Sequence, residues 1–175
     1  MTKKIVYKYD PFITIFKENF KNKYQSRKNF HKIKLQDAVM VMLENDKGQI
    51  LLLNEYRRGI NKKTLGLPGG HIEFNEKPIF TIKRELLEET GYIAKEWKLL
   101  LKYTRHGTYH CGNDYIFKAR LIKDPTNKKK NENLPKKWVD KKMMLSMLRN
   151  KKFETAGIIA VIIPAVSNFL LRSID

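Results

Sequence analysis

Glu85, Glu88 and Glu89 stand at i, i+3 and i+4 in this chain, a spacing that on a helix stacks three carboxylates on neighbouring turns of one face. An acidic face of this kind is commonly only a solvated one. Here Glu85 and Glu89 repel each other by roughly a few tenths of a kcal/mol, and no Lys or Arg follows any of the three at i+4. Arg84, four residues before Glu88, is the cation placed to help. A divalent cation would turn the repulsion into binding. Hard oxygen ligands gathered on one face suit Mg2+ or Mn2+, which bind through a few carboxylates plus waters and substrate phosphates. The chain holds 36 Lys and Arg against 18 Asp and Glu, so this local excess of acid is not a reflection of composition.

The helix that must carry these acids is bounded by its own punctuation. Pro78 stands near its start and Gly91 just past its end, the order expected of a helix over Pro78–Thr90. Ile79, Ile82 and Leu86 give it an apolar stripe for the core. Upstream, residues 5–16 read as two short strands broken at Asp10-Pro11, because proline cannot donate to a ladder. Residues 33–43 and 50–53 read as strands joined by the turn Asn45-Asp46-Lys47-Gly48, and their near-continuous apolar character predicts cover on both faces. Leu99–Tyr103 and Tyr115–Ile122 read as two more strands, and Lys123–Lys137 as an aperiodic loop. Val139–Leu148 and Thr155–Leu171 read as helices, the second kinked at Pro164. Mixed strands and helices predict an α/β or α+β class.

A chain of 175 residues and 20.7 kDa is the size of one domain that buries about 70% of its unfolded surface. The single cysteine, Cys111, excludes an intramolecular disulfide framework and fits a reducing compartment. MTKKIVYKYD has no apolar run behind it, so no secretory signal is expected. The most apolar segment, Ala156–Leu171, is too short to span a bilayer and reads as a buried helix, so a cytoplasmic, non-membrane protein is expected. The net charge of +18 admits three readings: a general Lys-rich bias, attraction of a polyphosphate substrate, or RNA binding. Seven Lys and Arg between Lys17 and Lys34 and eight Lys between Lys123 and Lys142 are the densest runs. Neither carries spaced aromatic platforms, and Tyr24, Phe30 and Trp138 read as packing residues, so weak non-specific nucleic-acid contact is the expectation.

Gly70, then Glu76 after five residues, then seven more before Arg84-Glu85-Leu86, Glu88-Glu89 and Gly91-Tyr92, resembles over its full length the signature of the Nudix hydrolases. Such a match arises by chance with odds on the order of 10⁻⁷ at average residue usage. The resemblance implies an α/β/α sandwich with a mixed β-sheet, residues 35–175 forming the Nudix domain and residues 1–34 an N-terminal strand extension. It implies Glu85, Glu88 and Glu89 as metal-binding carboxylates for Mg2+ or Mn2+, with the carbonyl of Gly69 as a further ligand. Arg84 and Glu76 resemble the pair that orients those carboxylates, and the reaction implied is hydrolysis of a nucleoside diphosphate linked to another group.

Outside the signature, Tyr56-Arg57 followed by Leu67-Pro68-Gly69-Gly70 resembles the ADP-ribose and ADP-sugar pyrophosphatase branch. That match implies Arg57 on a substrate phosphate, with Tyr56 beside it. The 69 residues before the motif leave room for the additional strands that this branch uses in a swapped homodimer. The branch's Ser-Pro-Gly stretch is absent, since the chain reads Tyr103 to Tyr115 as YTRHGTYHCGNDY, although Gly107 and Asp114 match around it. Tyr109 lies near the tyrosine of dinucleoside-polyphosphate members. His106 and His110 are candidates for phosphate contact, and Glu132 for the general base supplied by a late loop. The expected substrate is ADP-ribose or another ADP-sugar. The alternatives are a nucleoside triphosphate, a dinucleoside polyphosphate or an RNA 5′ end; a non-catalytic binding module is disfavoured by the intact Glu88-Glu89 pair.

Overall fold

The apolar alternation of the chain resolves into two sheets in a computed structural model, which describes residues 3–21, 26–123 and 134–171. Strands β1 (Lys3–Tyr9), β2 (Ile13–Lys21) and β3 (Ser26–Leu35) form an antiparallel three-stranded sheet. The remaining strands are β4 (Ala38–Glu44), β5 (Ile50–Arg57), β6 (Lys62–Gly66), β7 (Gly69–His71), β8 (Ile93–Thr104), β9 (Asn113–Lys123) and β10 (Lys136–Val139). They make a mixed sheet in the order β10-β5-β4-β9-β8, with β6 beside β5 and β7 beside β4. Helix α1 (Pro78–Thr90) lies on one face, and α2 (Lys141–Arg149) and α3 (Ala156–Leu171) on the other.

Period-two geometry sorts the core into two layers. Val39, Val41, Leu43, Leu51 and Leu53 pack with Ile82 and Leu86 of α1, whereas Met42, Ile50, Leu52 and Ile116 pack with Met144, Ile158 and Ile162 of α2 and α3. The strands that read as apolar on both faces are those at the centre of the sandwich. Beneath α1, β4 and β9 run parallel from Ala38 opposite Asp114 to Glu44 opposite Arg120.

Several boundaries differ from the sequence expectation, among them the start of β8 at Ile93 and the end of β5 at Arg57. Residues 33–43 are not one strand: the chain leaves the small sheet at Leu35 and enters the large one at Ala38. At the joint, Asp37 accepts the Asn113 N–H at 2.8 Å and Gln36 O accepts from Arg105, so both residues bond across to the β8–β9 hairpin. Val139 is not helical either but closes β10 opposite Ile50, because Asp140 caps α2 by accepting the Met143 N–H at 2.6 Å. Lys136 and Lys137 likewise belong to β10 rather than to a loop; residues 124–133, with Glu132, and Tyr24 lie outside the described residues. Pro164 falls inside the assigned span of α3. Among the described residues no helix is long and apolar enough to cross a membrane.

Leu86 is almost wholly enclosed between α1 and the sheet, so Leu86→Ala is expected to cost roughly 2–5 kcal/mol. Lys83→Ala, on the exposed side of the same helix, should stay within about 0.5 kcal/mol of wild type. Urea unfolding followed by circular dichroism checks both values.

Candidate active site

Helix α1 ends where the backbone turns left-handed at Gly91, φ 74°, whose N–H donates to Leu87 O at 2.8 Å. With Ile82 and Leu86 turned to the core, Arg84, Glu85 and Glu88 are left on the half-buried opposite face. Arg84 gathers the acids. Its Nε and Nη2 donate to the two oxygens of Glu76 at 3.2 and 3.0 Å, a bidentate pair reaching back to the loop before the helix. Its Nη1 lies between Glu85 Oε1 at 3.0 Å and Glu88 Oε2 at 3.1 Å. Glu89 is buried and accepts the N–H of Gly69 at 2.9 Å, which ties the helix to β7.

Both glycines of β7 are required by close approach. A Cβ on Gly69 would overlap the backbone of Val39, and one on Gly70 would overlap the Glu85 carboxylate. The loop backbone therefore lies directly against the acids. Burial pushes the Glu85 carboxyl above its usual value, against the opposing pull of Arg84. The hydrogen bond from Arg84 holds Glu76 below its usual value, and the same bond holds the Arg84 guanidinium still more firmly protonated.

Beyond β7 opens a cavity of about 510 Å³. Gly69, Gly70 and His71 form one side of it and Arg57 another. Tyr103, Arg105 and Asp114 line the wall made by β8 and β9, and residues 155–158 bring the start of α3 against it. Desolvation, reinforced by the charges of Arg105 and Arg57, lowers the His71 imidazole although its ring still reaches solvent. The Tyr103 hydroxyl is enclosed beside Asp114 without a formed hydrogen bond, and burial together with that carboxylate keeps the phenol protonated far above its usual range.

The structure brings together Glu85, Glu88, Glu89, Arg84, Glu76 and Gly69, and it sets Arg57 at the cavity. Arg57 is partly exposed and also pairs with Glu55 at 2.8 Å. Tyr56 is exposed, with its hydroxyl toward Asn61, and does not line the cavity. His106 and His110 sit in the exposed hairpin loop between β8 and β9, where His106 packs on the ring of Tyr109 at 5.1 Å and Tyr109 stacks on Phe30 at 6.2 Å. Neither histidine lines the cavity. Phe30 and Trp138 pack as expected, Trp138 against Tyr92 at 5.8 Å. His71, Tyr103, Arg105 and Gly157 were not legible as site residues, because only the strand register and the docking of α3 bring them to one wall.

Among the described residues no three His, Cys, Asp or Glu side chains are arranged as a ready metal cluster. The cause is visible: Arg84 Nη1 occupies the space between Glu85 and Glu88, while Glu89 is turned to Gly69. The donor set nevertheless fits a hard divalent cation, being all oxygen, with a positive group already standing between two of the carboxylates. Glu85, Glu88, Glu89 and the Gly69 carbonyl are the groups that would hold it.

Residues 34–160 match the NUDIX domain family. An ADP-ribose pyrophosphatase of Bacillus subtilis (strain 168) is 37% identical over 76 residues, 43% of this chain and 41% of that protein. A CMP-5'-(N-acetyl-N-hydroxy-3-aminopropyl)phosphonate hydrolase of Streptomyces rubellomurinus (strain ATCC 31215) is 25% identical over 130 residues, 73% of this chain and 62% of that protein. The matched parts therefore span less than two thirds of either relative. The crystal structure of an ADP compounds hydrolase shares the fold, with a TM-score of 0.75 at 22% identity over 99% of this chain and 91% of that one. With the domain match extending over most of the chain and enclosing the whole Gly70–Tyr92 signature, this protein belongs to the Nudix family.

Proposed function

We propose that the chain hydrolyses the diphosphate of a nucleoside diphosphate-linked compound, with ADP-ribose the preferred substrate and Mg2+ or Mn2+ required. The observation that carries this reading is the Arg84-centred acid cluster, whose Glu85 lies against Gly70 of the Gly69–Gly70 backbone that lines a cavity bordered by Arg57. The similarity to an ADP-ribose pyrophosphatase supports the choice of substrate. Water would add across one P–O–P linkage, giving AMP and ribose 5-phosphate. When bound, the cation supplies positive charge to the diphosphate and its leaving oxygen. Arg57 grips a phosphate with its forked donors, Glu76 keeps Arg84 from wandering, and Arg84 in turn orients Glu85 and Glu88. Glu132, between β9 and β10, is the proposed general base.

Residues 1–34 are proposed as an N-terminal strand extension, either part of the same unit as residues 35–175 or a dimer arm. Ile5, Val6, Tyr7, Tyr9 and Phe12 leave a run of large apolar side chains more than half exposed on the small sheet, and a second copy is the occupant that a homodimer would place there. The substrate is a small nucleotide; the basic surface gives only weak, salt-sensitive contact with nucleic acid, and a reducing cytoplasmic setting suits the free Cys111.

A substrate panel in Mg2+ buffer, with products resolved by chromatography, is expected to show higher kcat/KM for ADP-ribose than for any nucleoside triphosphate. Glu88→Gln and Glu89→Gln should each lose about 10²-fold or more in kcat. Preference for a triphosphate or a dinucleoside polyphosphate would move the substrate to that class, and near-wild-type turnover by both variants would remove the acids from the reaction.

The raised Glu85 carboxyl also predicts a stability effect. A carboxyl that binds its proton more strongly when folded contributes stability below its unfolded value near 4.5, and that contribution is lost as pH rises through the folded value. In cation-free buffer Glu85→Gln should therefore melt above wild type at about pH 7, with the gap closing toward about pH 4. A gap that does not change with pH would show that ionised Glu85 carries no such cost.

A further inference from the structure

We propose that Arg105 is a positioning residue that cancels the charge of a carboxylate buried in the cavity wall and, by the same guanidinium, fixes the joint between the two sheets. Arg105 follows β8 and opens the hairpin loop, its N–H donating to Gly112 O at 3.0 Å. Its side chain is only 24% exposed and is held at two points. Nε lies 3.1 Å from Asp114 Oδ1, at an angle that makes an ion pair rather than a hydrogen bond, and Nη2 donates to the backbone carbonyl of Gln36. Gly112, at φ 83°, leaves room for this reach, since a Cβ there would overlap Nη2.

Each contact has a consequence. Asp114 is 5% exposed and lines the cavity beside Tyr103. An uncompensated carboxylate there would repel any anionic ligand and would itself be costly to bury. Arg105 supplies the missing charge without leaving the wall. Gln36 and Asp37 join β3 to β4, so the contact with Gln36 O, together with the Asn113 N–H to Asp37 at 2.8 Å, fastens the stem of the N-terminal sheet to the hairpin that bounds the cavity. This inference rests on the reading that a diphosphate enters the cavity only for its kinetic part; the coupling of sheet and hairpin does not depend on it.

The test uses the full chain as Arg105→Met, Arg105→Lys, Asp114→Asn and the double variant Arg105→Met/Asp114→Asn. Steady-state kinetics with ADP-ribose and Mg2+ are combined with melting and with amide hydrogen exchange over residues 33–38. Arg105→Met is expected to raise KM about tenfold or more with kcat within about threefold, and the added Asp114→Asn to bring KM back to within about threefold of Asp114→Asn alone. Exchange should quicken across residues 35–38 in Arg105→Met and in the double variant alike, because the Gln36 contact is lost in both. Arg105→Lys should fall between wild type and Arg105→Met in both readouts, since one ammonium cannot serve both partners. Unchanged KM in a folded Arg105→Met, no recovery in the double variant, or unaltered exchange would each overturn the proposal. If Arg105→Met alone does not fold, the double variant must fold, and its failure to do so overturns it as well. Should wild type leave ADP-ribose intact, the substrate reading fails, and the exchange pattern still decides whether Arg105 fixes the joint.

Discussion

Arg84 spends two nitrogens on Glu76 and the third on Glu85 and Glu88, and the position of that guanidinium sets where the rest of the site must stand. Three acids close together on one helix would drive each other outward into water. Anchoring the arginine from the preceding loop prevents this, because the bidentate pair with Glu76 fixes the plane of the fork before it meets the helix acids. Glu89 is secured separately by the Gly69 N–H, so the acids are shared between a cation and a backbone donor. Glu85 can lie against the loop only because position 70 has no side chain. Charge, backbone approach and helix packing therefore form one constraint, and a change at any of the three displaces the others.

The large sheet serves that constraint by placing β4 at its centre. One edge of β4 takes β9 in parallel register, and the other takes β7, so the glycines that face the acids and the Asp114 wall are hydrogen-bonded to the same strand. The N-terminal sheet joins β4 through Gln36 and Asp37, directly beside that wall. Its Ile33 N–H donates to Tyr109 O at 2.9 Å, and Phe30 stacks on the same tyrosine, so the small sheet rests on the hairpin loop between β8 and β9. The loop that carries His106 and His110 is thus also a seat for the extension.

How much of this could be read beforehand follows from which interactions are local. Helix α1 was legible to its ends because proline and glycine mark both termini and the acids, Arg84 and Glu76 lie within one short stretch. The double-sided burial of β4 and β5 was legible because strand alternation without polar breaks leaves no solvent face. The short strands β6, β7 and β10 were not, since Lys62–Gly66 and Lys136–Val139 are rich in lysine and Gly69–His71 has almost no side chains; β6 exists by folding back on β5, and β7 and β10 by pairing with distant strands. The break at Gln36-Asp37 depends on Arg105 and Asn113, some 69 and 76 residues further on, and no local signal marks it. The same holds for Tyr103 and Gly157, which approach only when α3 docks on the sheet.

The central claim is that the acids around Arg84 are a cation site in waiting, and direct Mn2+ binding tests it without reference to turnover. Titration of Mn2+ into the full chain, followed by the loss of the free-ion electron paramagnetic resonance signal, is expected to show saturable binding that Mg2+ displaces. Glu88→Gln and Glu89→Gln should each weaken it by more than about tenfold, while Lys83→Ala leaves it unchanged. Absence of saturable binding, or equal affinity in wild type and both glutamine variants, would contradict the account.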